Sequence, residues 1–163
     1  MSQKNMSWSD RVLGWAKDRN LIDGSTPKRQ YVKLMEEATE LVDGLTAGNI
    51  DLIKDAIGDV AVVLRIISAQ TGTVWDHQPE QDWSDVHLAD VSLCLAKIGR
   101  AIEGRQSNQP VSFHKATESF VSLLSFIASS HGLSLLECQE QAWGEIKDRR
   151  GEMRNQVWVK EGD

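Results

Sequence analysis

The stretch "PKRQYVKLMEEATELVDGLTAGNIDLIKDAIGDVAVVLRIISAQTG", residues 27–72, decides the fold class. Its apolar residues recur at roughly every third or fourth position, which is the spacing of helices that bury one face. A short polar turn, "TAGN", divides the stretch into two such patterns. Two helices joined by so short a turn are expected to pack antiparallel as a helical hairpin.

The ends of these two helices carry recognisable signals. Pro27 suits the first helical position, and Ser25 or Thr26 before it can serve as the N-cap, which predicts a helix over about 27–47. Either Asn49 or Asp51 can cap the second helix. That helix is predicted to stop at Gly72.

The remainder of the chain repeats the helical spacing, and only three prolines interrupt it. We therefore predict an all-α bundle, made of two antiparallel helical hairpins plus N- and C-terminal helices, in a single domain over 1–163. The polar stretch 73–85 reads as a connector, and Val157 to Val159 as a short extended segment. The other helices are predicted over about 7–19, 86–104, 111–131 and 134–150.

Composition narrows the function classes. With 163 residues, 40% hydrophobic and 26% charged, and a net charge of −6, the chain is typical of a globular domain and does not favour a nucleic acid polymer or an anionic membrane as partner. No signal peptide and no apolar run of about 18 residues occurs, so we expect a cytoplasmic protein. Cys94 and Cys138 are interpreted as reduced, buried thiols; a disulfide or a metal pair is the alternative.

A shift of 60 residues superposes the apolar positions of the two predicted hairpins. Matched pairs include Val60 with Phe120, Leu64 with Leu124, Ile67 with Ile127 and Gly72 with Gly132. The same shift places Glu36, Glu37, Glu40 and Asp59 on Ala96, Lys97, Arg100 and Ser119. Gene duplication and the general similarity of helical hairpins both remain open as explanations.

Carboxylates are concentrated in the first hairpin. Glu36, Glu37 and Glu40 lie within about one and a half turns of the first helix, beside its apolar stripe, and Asp59 and Asp55 border the stripe of the second. Like charges this close are destabilising unless a cation binds among them or they protonate. Oxygen ligands without His or Cys favour Mg²⁺ or Mn²⁺. A solvated acidic helix face is the alternative.

Gly58 lies in the middle of the second helix. A mid-helix glycine costs about 1 kcal/mol relative to alanine. Its presence indicates that another group approaches the backbone closely there.

"EEATE" and the following "DAIGD" resemble the signature of MazG-like all-α nucleoside triphosphate pyrophosphohydrolases, EExxE and then ExxD on the next helix. The flanks "WAKDRNLIDGSTPKRQYVKLMEEATEL" and "AWGEIKDRRGEMRNQVWVKE" are similar to the short, stand-alone members found in phages and prophages. The resemblance implies Mg²⁺-dependent hydrolysis of a nucleoside or deoxynucleoside triphosphate to a monophosphate and pyrophosphate. Mn²⁺ is a possible substitute for Mg²⁺.

The match implies roles for the acids. Glu37, Glu40 and Asp59 are the best-matched metal ligands, followed by Glu36. Asp55 is the least secure ligand, because Ala56 stands where the family has its second-motif Glu. A spare carboxylate, Glu36 or Glu40, would accept the proton of the attacking water.

Substrate contacts are predicted for cations, for one aromatic group and for one amide. Three structural alternatives stay open: helix capping for the basic cluster after the last helix, ion pairing with Glu36 or Glu37 for Lys33, and core packing for the tryptophan. Lys97 and Arg100 would face the acids if the hairpins pack about a pseudo-twofold axis. The four histidines show no metal-ligand spacing. The candidates are Lys33, Lys147, Arg149, Arg150, Lys97, Arg100, Trp15, Arg19 and Asn20.

Two rival functions stay open. A dUTPase- or dCTPase-like pyrimidine-specific enzyme would use the same metal chemistry. A non-catalytic, helical nucleotide-binding or regulatory protein would keep the bundle without turnover. We favour a homodimer, although two hairpins could close a four-helix core within one chain.

Overall fold

The computed structural model describes residues 6–77, 83–104 and 111–162. The predicted connector and the turn between the helices of the second hairpin lie partly outside these ranges. Helices dominate, so the all-α class is confirmed, and a small β-hairpin is the addition. The elements are α1 Trp8–Asp18, α2 Pro27–Ala47, α3 Ile50–Gln70, α4 Leu88–Ile102, α5 Val111–Ser130, α6 Leu135–Ile146, β1 Gly151–Arg154 and β2 Val157–Lys160.

The caps of the first hairpin follow the sequence signals. Thr26 is the N-cap of α2, and its hydroxyl accepts a hydrogen bond from the Arg29 amide. Gly48 ends α2 in the left-handed conformation, with φ of 62°, which glycine adopts without steric cost. Asn49 then caps α3 by accepting from the Leu52 amide. Of the two candidates at each helix start, Thr26 and Asn49 are therefore the caps.

Helix α3 is the centre of the bundle. It packs against α1, α2, α5 and α6, and its residues from Val60 to Ser68 are all buried. Helices α2 and α3 form the first hairpin, α4 and α5 pack together as the second, and α2 also packs against α4. The repeated apolar positions share one core, because Phe120, Leu64 and Leu124 are completely buried.

Gly58 is where α6 approaches α3. A Cβ atom at this position would lie 2.3 Å from the carbonyl oxygen of Cys138 and 2.8 Å from the Cβ of Ala142. The expected close approach is thus confirmed, and its source is the backbone of another helix.

The Gly58→Ala substitution tests this packing. The new methyl group would collide with the α6 backbone, so we expect the free energy of unfolding to fall by roughly 1–3 kcal/mol, as overpacked cores typically do. Chemical denaturation measures the change. Gly14→Ala is the matched control, because its Cβ would meet nothing within 4 Å. Equal or greater stability of Gly58→Ala would contradict the close approach.

The last helix ends earlier than predicted. Helix α6 stops at Ile146, so its predicted extension to 150 is wrong. Side chains from α1 and its C-cap bind carbonyl groups at and beyond that point: the Trp15 indole donates to the Ile146 carbonyl at 2.8 Å, and the Arg19 guanidinium donates to that of Arg149. Gly151 then packs so closely on the Trp158 ring that a Cβ would lie 2.6 Å from it.

The tail forms an antiparallel β-hairpin in which Gly151 pairs with Lys160. Asn155 and Gln156 make its turn with positive φ angles of 49° and 65°. The predicted extended segment around Trp158 is therefore confirmed, as one strand of this hairpin.

Both cysteines are free and buried. Burial raises the pKa of the Cys94 thiol and of the Cys138 thiol to about 11, so both are protonated at neutral pH. The predicted burial of both cysteines is confirmed.

Within the described ranges no single helix is long and apolar enough to cross a membrane, although Phe113–Ser130 and Leu135–Ile146 pass that test together as a pair bent by 100°.

Candidate active site

Three carboxylates meet between α2 and α3. Oxygen atoms of Glu37, Glu40 and Asp59 all lie within 4.8 Å of one another. Glu37 is 5% exposed, Asp59 is partly buried and Glu40 is exposed. The group therefore runs from the edge of the core to the surface.

The electrostatics of this group are unfavourable without a cation. Burial, followed by the charges of Glu37 and Glu145, raises the pKa of Asp59 to about 7, and Arg149 opposes the rise. Burial and then Glu37 also raise the pKa of Glu40. Both carboxylates are thus held in an environment that resists their ionisation.

Lys33 neutralises part of this charge. Its ammonium lies 2.7 Å from Glu37 and 3.1 Å from Glu36, so the ion pairing that the sequence allowed is present. Glu36 itself is 60% exposed in its side chain and does not belong to the three-carboxylate group.

The second acidic motif departs from the family pattern at Ala56, which follows Asp55. Ala56 is completely buried and offers no oxygen. The Asp55 carboxylate accepts a hydrogen bond from the Gln141 amide on α6. Asp55 therefore faces α6, one turn before Asp59.

Sequence reasoning missed Glu145, which adds negative charge at Asp59 from α6. The signal that could have found it is Gly58, which brings α6 against α3 between Asp55 and Asp59. What the sequence did not reveal is which helix makes that approach.

A cavity of about 200 Å³ opens beside the acids. Glu37 and Asp59 line it, and Glu40 lies outside its lining. Three kinds of group make up much of the remaining wall: cations, aromatic rings and buried polar side chains. They are Arg29, Lys33, Arg149, Trp15, Trp158, Ser25 and Gln30.

Trp15 and Trp158 form one wall of this cavity. Their ring centroids are 6.1 Å apart with an interplanar angle of 59°. The Trp158 indole nitrogen is buried and has no hydrogen-bond partner among the described residues. Trp158, which the sequence did not single out as a candidate, thus brings a second indole ring to the cavity.

Arg19 and Asn20 directly follow α1 and have structural roles there. The Arg19 guanidinium lies 4.8 Å from the centre of the Trp15 ring and donates to carbonyl groups after α6. Asn20 adopts a positive φ of 55° in the turn after α1. Neither residue lines the cavity beside the acids.

The predicted basic contacts divide into two groups. Arg149 lines the cavity and influences Asp59. Lys147 lines a second, larger cavity of about 620 Å³ between α1 and α6, which shares Trp15 with the first and is lined by none of the three carboxylates. Arg150, Lys97 and Arg100 are exposed and line neither of these two cavities. We place the site at the smaller cavity because Glu37 and Asp59 lie in its wall.

The donor set fits a hard divalent cation. Glu37, Glu40 and Asp59 offer carboxylate oxygens from two helices, and an ion among them would offset the burial and the neighbouring negative charges that raise the pKa of Asp59. Mg²⁺ binds carboxylate oxygens and completes its octahedral shell with water and substrate phosphate oxygens, and Mn²⁺ accepts the same donors.

Part of the chain is similar to a phage protein. A segment of 56 residues is 52% identical to an uncharacterised 18.2 kDa protein in the rep-hol intergenic region of Haemophilus phage HP1. The match spans 34% of this chain and about a third of that protein's length. No protein-family model matches the chain, and no solved structure matches it.

Proposed function

We propose that the protein is a Mg²⁺-dependent nucleoside triphosphate pyrophosphohydrolase that converts a (deoxy)nucleoside triphosphate to a monophosphate and pyrophosphate. The observation that carries the proposal is the meeting of Glu37, Glu40 and Asp59 at a cavity lined by cations and indole rings. The resemblance of "EEATE" and "DAIGD" to MazG-like enzymes supplies the reaction class.

The cavity suits the nucleoside part of the substrate. Its volume of about 200 Å³ is below the roughly 300–1,000 Å³ of most ligand sites, so it would take the base and leave the phosphates outside. The rings of Trp15 and Trp158 offer apolar surface to the base. Gln30 and Ser25, which are buried and hydrogen-bonded to each other at 3.2 Å, offer polar groups to its edge.

The phosphates would extend towards the acids. Lys33 and Arg149 stand beside Glu37 and Asp59 respectively, where they can bind phosphate oxygens and limit repulsion. When bound by the three carboxylates, Mg²⁺ would neutralise the polyphosphate and polarise the α-phosphoryl group.

Glu40 is the better candidate for the general base. It is the exposed member of the three-carboxylate group, so one of its oxygens could bind the cation while the other accepts the proton of the attacking water. Glu36 is held by Lys33 at the surface. Glu145 on α6 is a candidate for the acidic role that Ala56 cannot fill.

The small cavity favours one second candidate, a dUTPase- or dCTPase-like enzyme. A pyrimidine ring is smaller than a purine ring and fits the limited volume better. The buried Ala56 favours the non-catalytic alternative, a helical nucleotide-binding or regulatory protein, because it removes one acid of the family pattern.

We further propose a homodimer that acts in the cytoplasm, where nucleotides are available. Val32 and Met35 on α2 and Leu93 on α4 are exposed, and these two helices pack against each other. A second copy would cover such apolar positions. The reduced thiols accord with the cytoplasm. Neither a membrane nor a nucleic acid polymer is part of the proposal.

The proposal is tested with a panel of ribo- and deoxyribonucleoside triphosphates in Mg²⁺ and in Mn²⁺, scoring pyrophosphate against orthophosphate. We expect pyrophosphate and the monophosphate as first products, and loss of turnover with EDTA. Orthophosphate as the first product would contradict the proposed bond cleavage. Binding without turnover would favour the regulatory alternative, and turnover of one pyrimidine nucleotide alone would favour the second enzyme class.

A further inference from the structure

A second group of potential metal ligands lies away from the carboxylates. Asp76 and His77 follow α3, and His114 lies in the first turns of α5. One ligand atom from each of the three lies within 4.8 Å of the other two. The chain spacing of the histidines gave no sign of this group, because folding brings two distant segments together.

Contacts already hold all three of these ligands in place. The His114 Nε2 atom lies 2.8 Å from the Asp76 carboxylate. The His77 ring lies 5.0 Å from that of His114, and Trp75 packs edge-on against it at 4.6 Å. Trp75 in turn contacts Trp8 of α1 at 6.0 Å, which anchors the segment after α3 to the core.

His77 lacks the partners that a buried imidazole normally has. Both of its ring nitrogens are buried, and neither has a hydrogen-bond partner within residues 6–77, 83–104 and 111–162. Buried polar atoms without partners are rare in native proteins, and a bound ion is one of the ordinary explanations. A cation held by His77 and its two neighbours would satisfy one of these nitrogens.

The donor set differs in kind from that of the carboxylate site. Two imidazoles and one carboxylate suit a borderline divalent ion such as Zn²⁺, whereas Mg²⁺ prefers oxygen donors alone. Asp76 supplies the negative charge. The positive charge of Arg65 also acts on His77 and would repel a bound cation. The Arg65 guanidinium, however, is engaged elsewhere, because it donates a hydrogen bond to the Ser9 carbonyl at 3.3 Å.

We propose that Asp76, His77 and His114 bind one Zn²⁺ ion, or a chemically similar transition-metal ion, that ties the end of the first hairpin to the start of α5. Three protein ligands leave at least one coordination position for water. The site is independent of the proposed nucleotide chemistry, since it shares no residue with Glu37, Glu40 and Asp59.

The first test uses the intact protein, stripped of metal with a chelator and then kept in excess Mg²⁺ so that the carboxylates are occupied. ZnCl₂ is added while the ring signals of the four histidines are followed by NMR. We expect saturation at one Zn²⁺ per chain, shifts in the signals of His77 and His114, no shift for His87 and His131, and a rise in Tm. Similar shifts of all four histidines would overturn the proposal.

Variants separate this site from the carboxylates. Asp76→Asn and His114→Gln should each lower the Zn²⁺ affinity about tenfold or more, measured by calorimetry. His131→Gln is the matched control, and Asp59→Asn should also leave the affinity unchanged. Asp76 is exposed, so its substitution tests the site even where a histidine variant is poorly folded. Unchanged affinity in Asp76→Asn and His114→Gln would overturn the assignment, as would loss in Asp59→Asn.

Discussion

Replacing Glu37 by glutamine is expected to lower kcat/KM for the nucleotide by a factor on the order of 10²–10³, because a divalent cation contributes several kcal/mol of transition-state stabilisation and about 1.4 kcal/mol corresponds to tenfold. Glu37 is the most buried of the three carboxylates and the one that Lys33 contacts at 2.7 Å. Glutamine keeps its size and removes its charge. Steady-state kinetics over a range of Mg²⁺ concentrations measures the loss.

Two further variants sharpen this result. Asp43→Asn is the matched control, because Asp43 is an exposed acid on the same helix and does not belong to the three-carboxylate group. Glu36→Gln should cost much less than Glu40→Gln, since Glu36 is held at the surface by Lys33. A Glu37→Gln protein with the kinetics of Asp43→Asn would contradict the placement of the site.

The second large effect concerns stability. In the metal-free protein, Asp59 has a pKa of about 7, against 3.8 for an ordinary aspartate. Between about pH 4 and pH 7 the folded state therefore keeps a proton that the unfolded state loses. The stabilising contribution of the Asp59 proton is complete below about pH 4 and is lost as the pH rises through about 7. The difference between these two pKa values corresponds to at most about 4 kcal/mol in the free energy of unfolding.

The Asp59→Asn variant isolates this contribution. We expect it to be more stable than the wild type at pH 8 without metal, by up to a few kcal/mol, and nearly equal to it below pH 4. Mg²⁺ should stabilise the wild type at pH 8 and the variant much less, because the variant lacks one ligand charge. Denaturation at a series of pH values, with and without Mg²⁺, measures both effects.

The wild type must be compared with the variant because the titration of His77 changes the free energy of unfolding in the direction opposite to that of Asp59 as the pH rises. Burial lowers the pKa of His77 to about 4, so its contribution to stability grows as the pH rises from about 4 to about 6.5. His77 is present in both proteins and cancels in the difference. A difference between the two proteins that does not vary with pH would show that Asp59 ionises normally.

Local signals were enough for most of the fold. Apolar spacing predicted the six helices that the described part of the chain contains, and the caps at Thr26 and Asn49 follow from short polar side chains that accept backbone hydrogen bonds. The end of α6 was not predictable in this way. Trp15 and Arg19, more than 100 residues away in the chain, bind the carbonyl groups there.

The site was predictable only where it depends on helical geometry. Helical geometry placed Glu37 and Asp59 beside the apolar stripes of two helices that were predicted to pack together, and both residues line the cavity. Gly58 indicated a close approach but could not identify α6, so Glu145 and Gln141 were missed. The pairing of His77 with His114 depends on how the two hairpins pack, which no local pattern encodes.

The central claim is that Glu37, Glu40 and Asp59 hold a divalent cation between α2 and α3. The most direct test is a crystal structure grown with Mn²⁺ and a nucleoside triphosphate analogue that resists cleavage between the α and β phosphates, with the anomalous signal used to locate the metal. The account predicts an Mn²⁺ peak bonded to oxygens of these three residues and to the analogue. The three carboxylates turned towards solvent, with no anomalous peak among them, would contradict it.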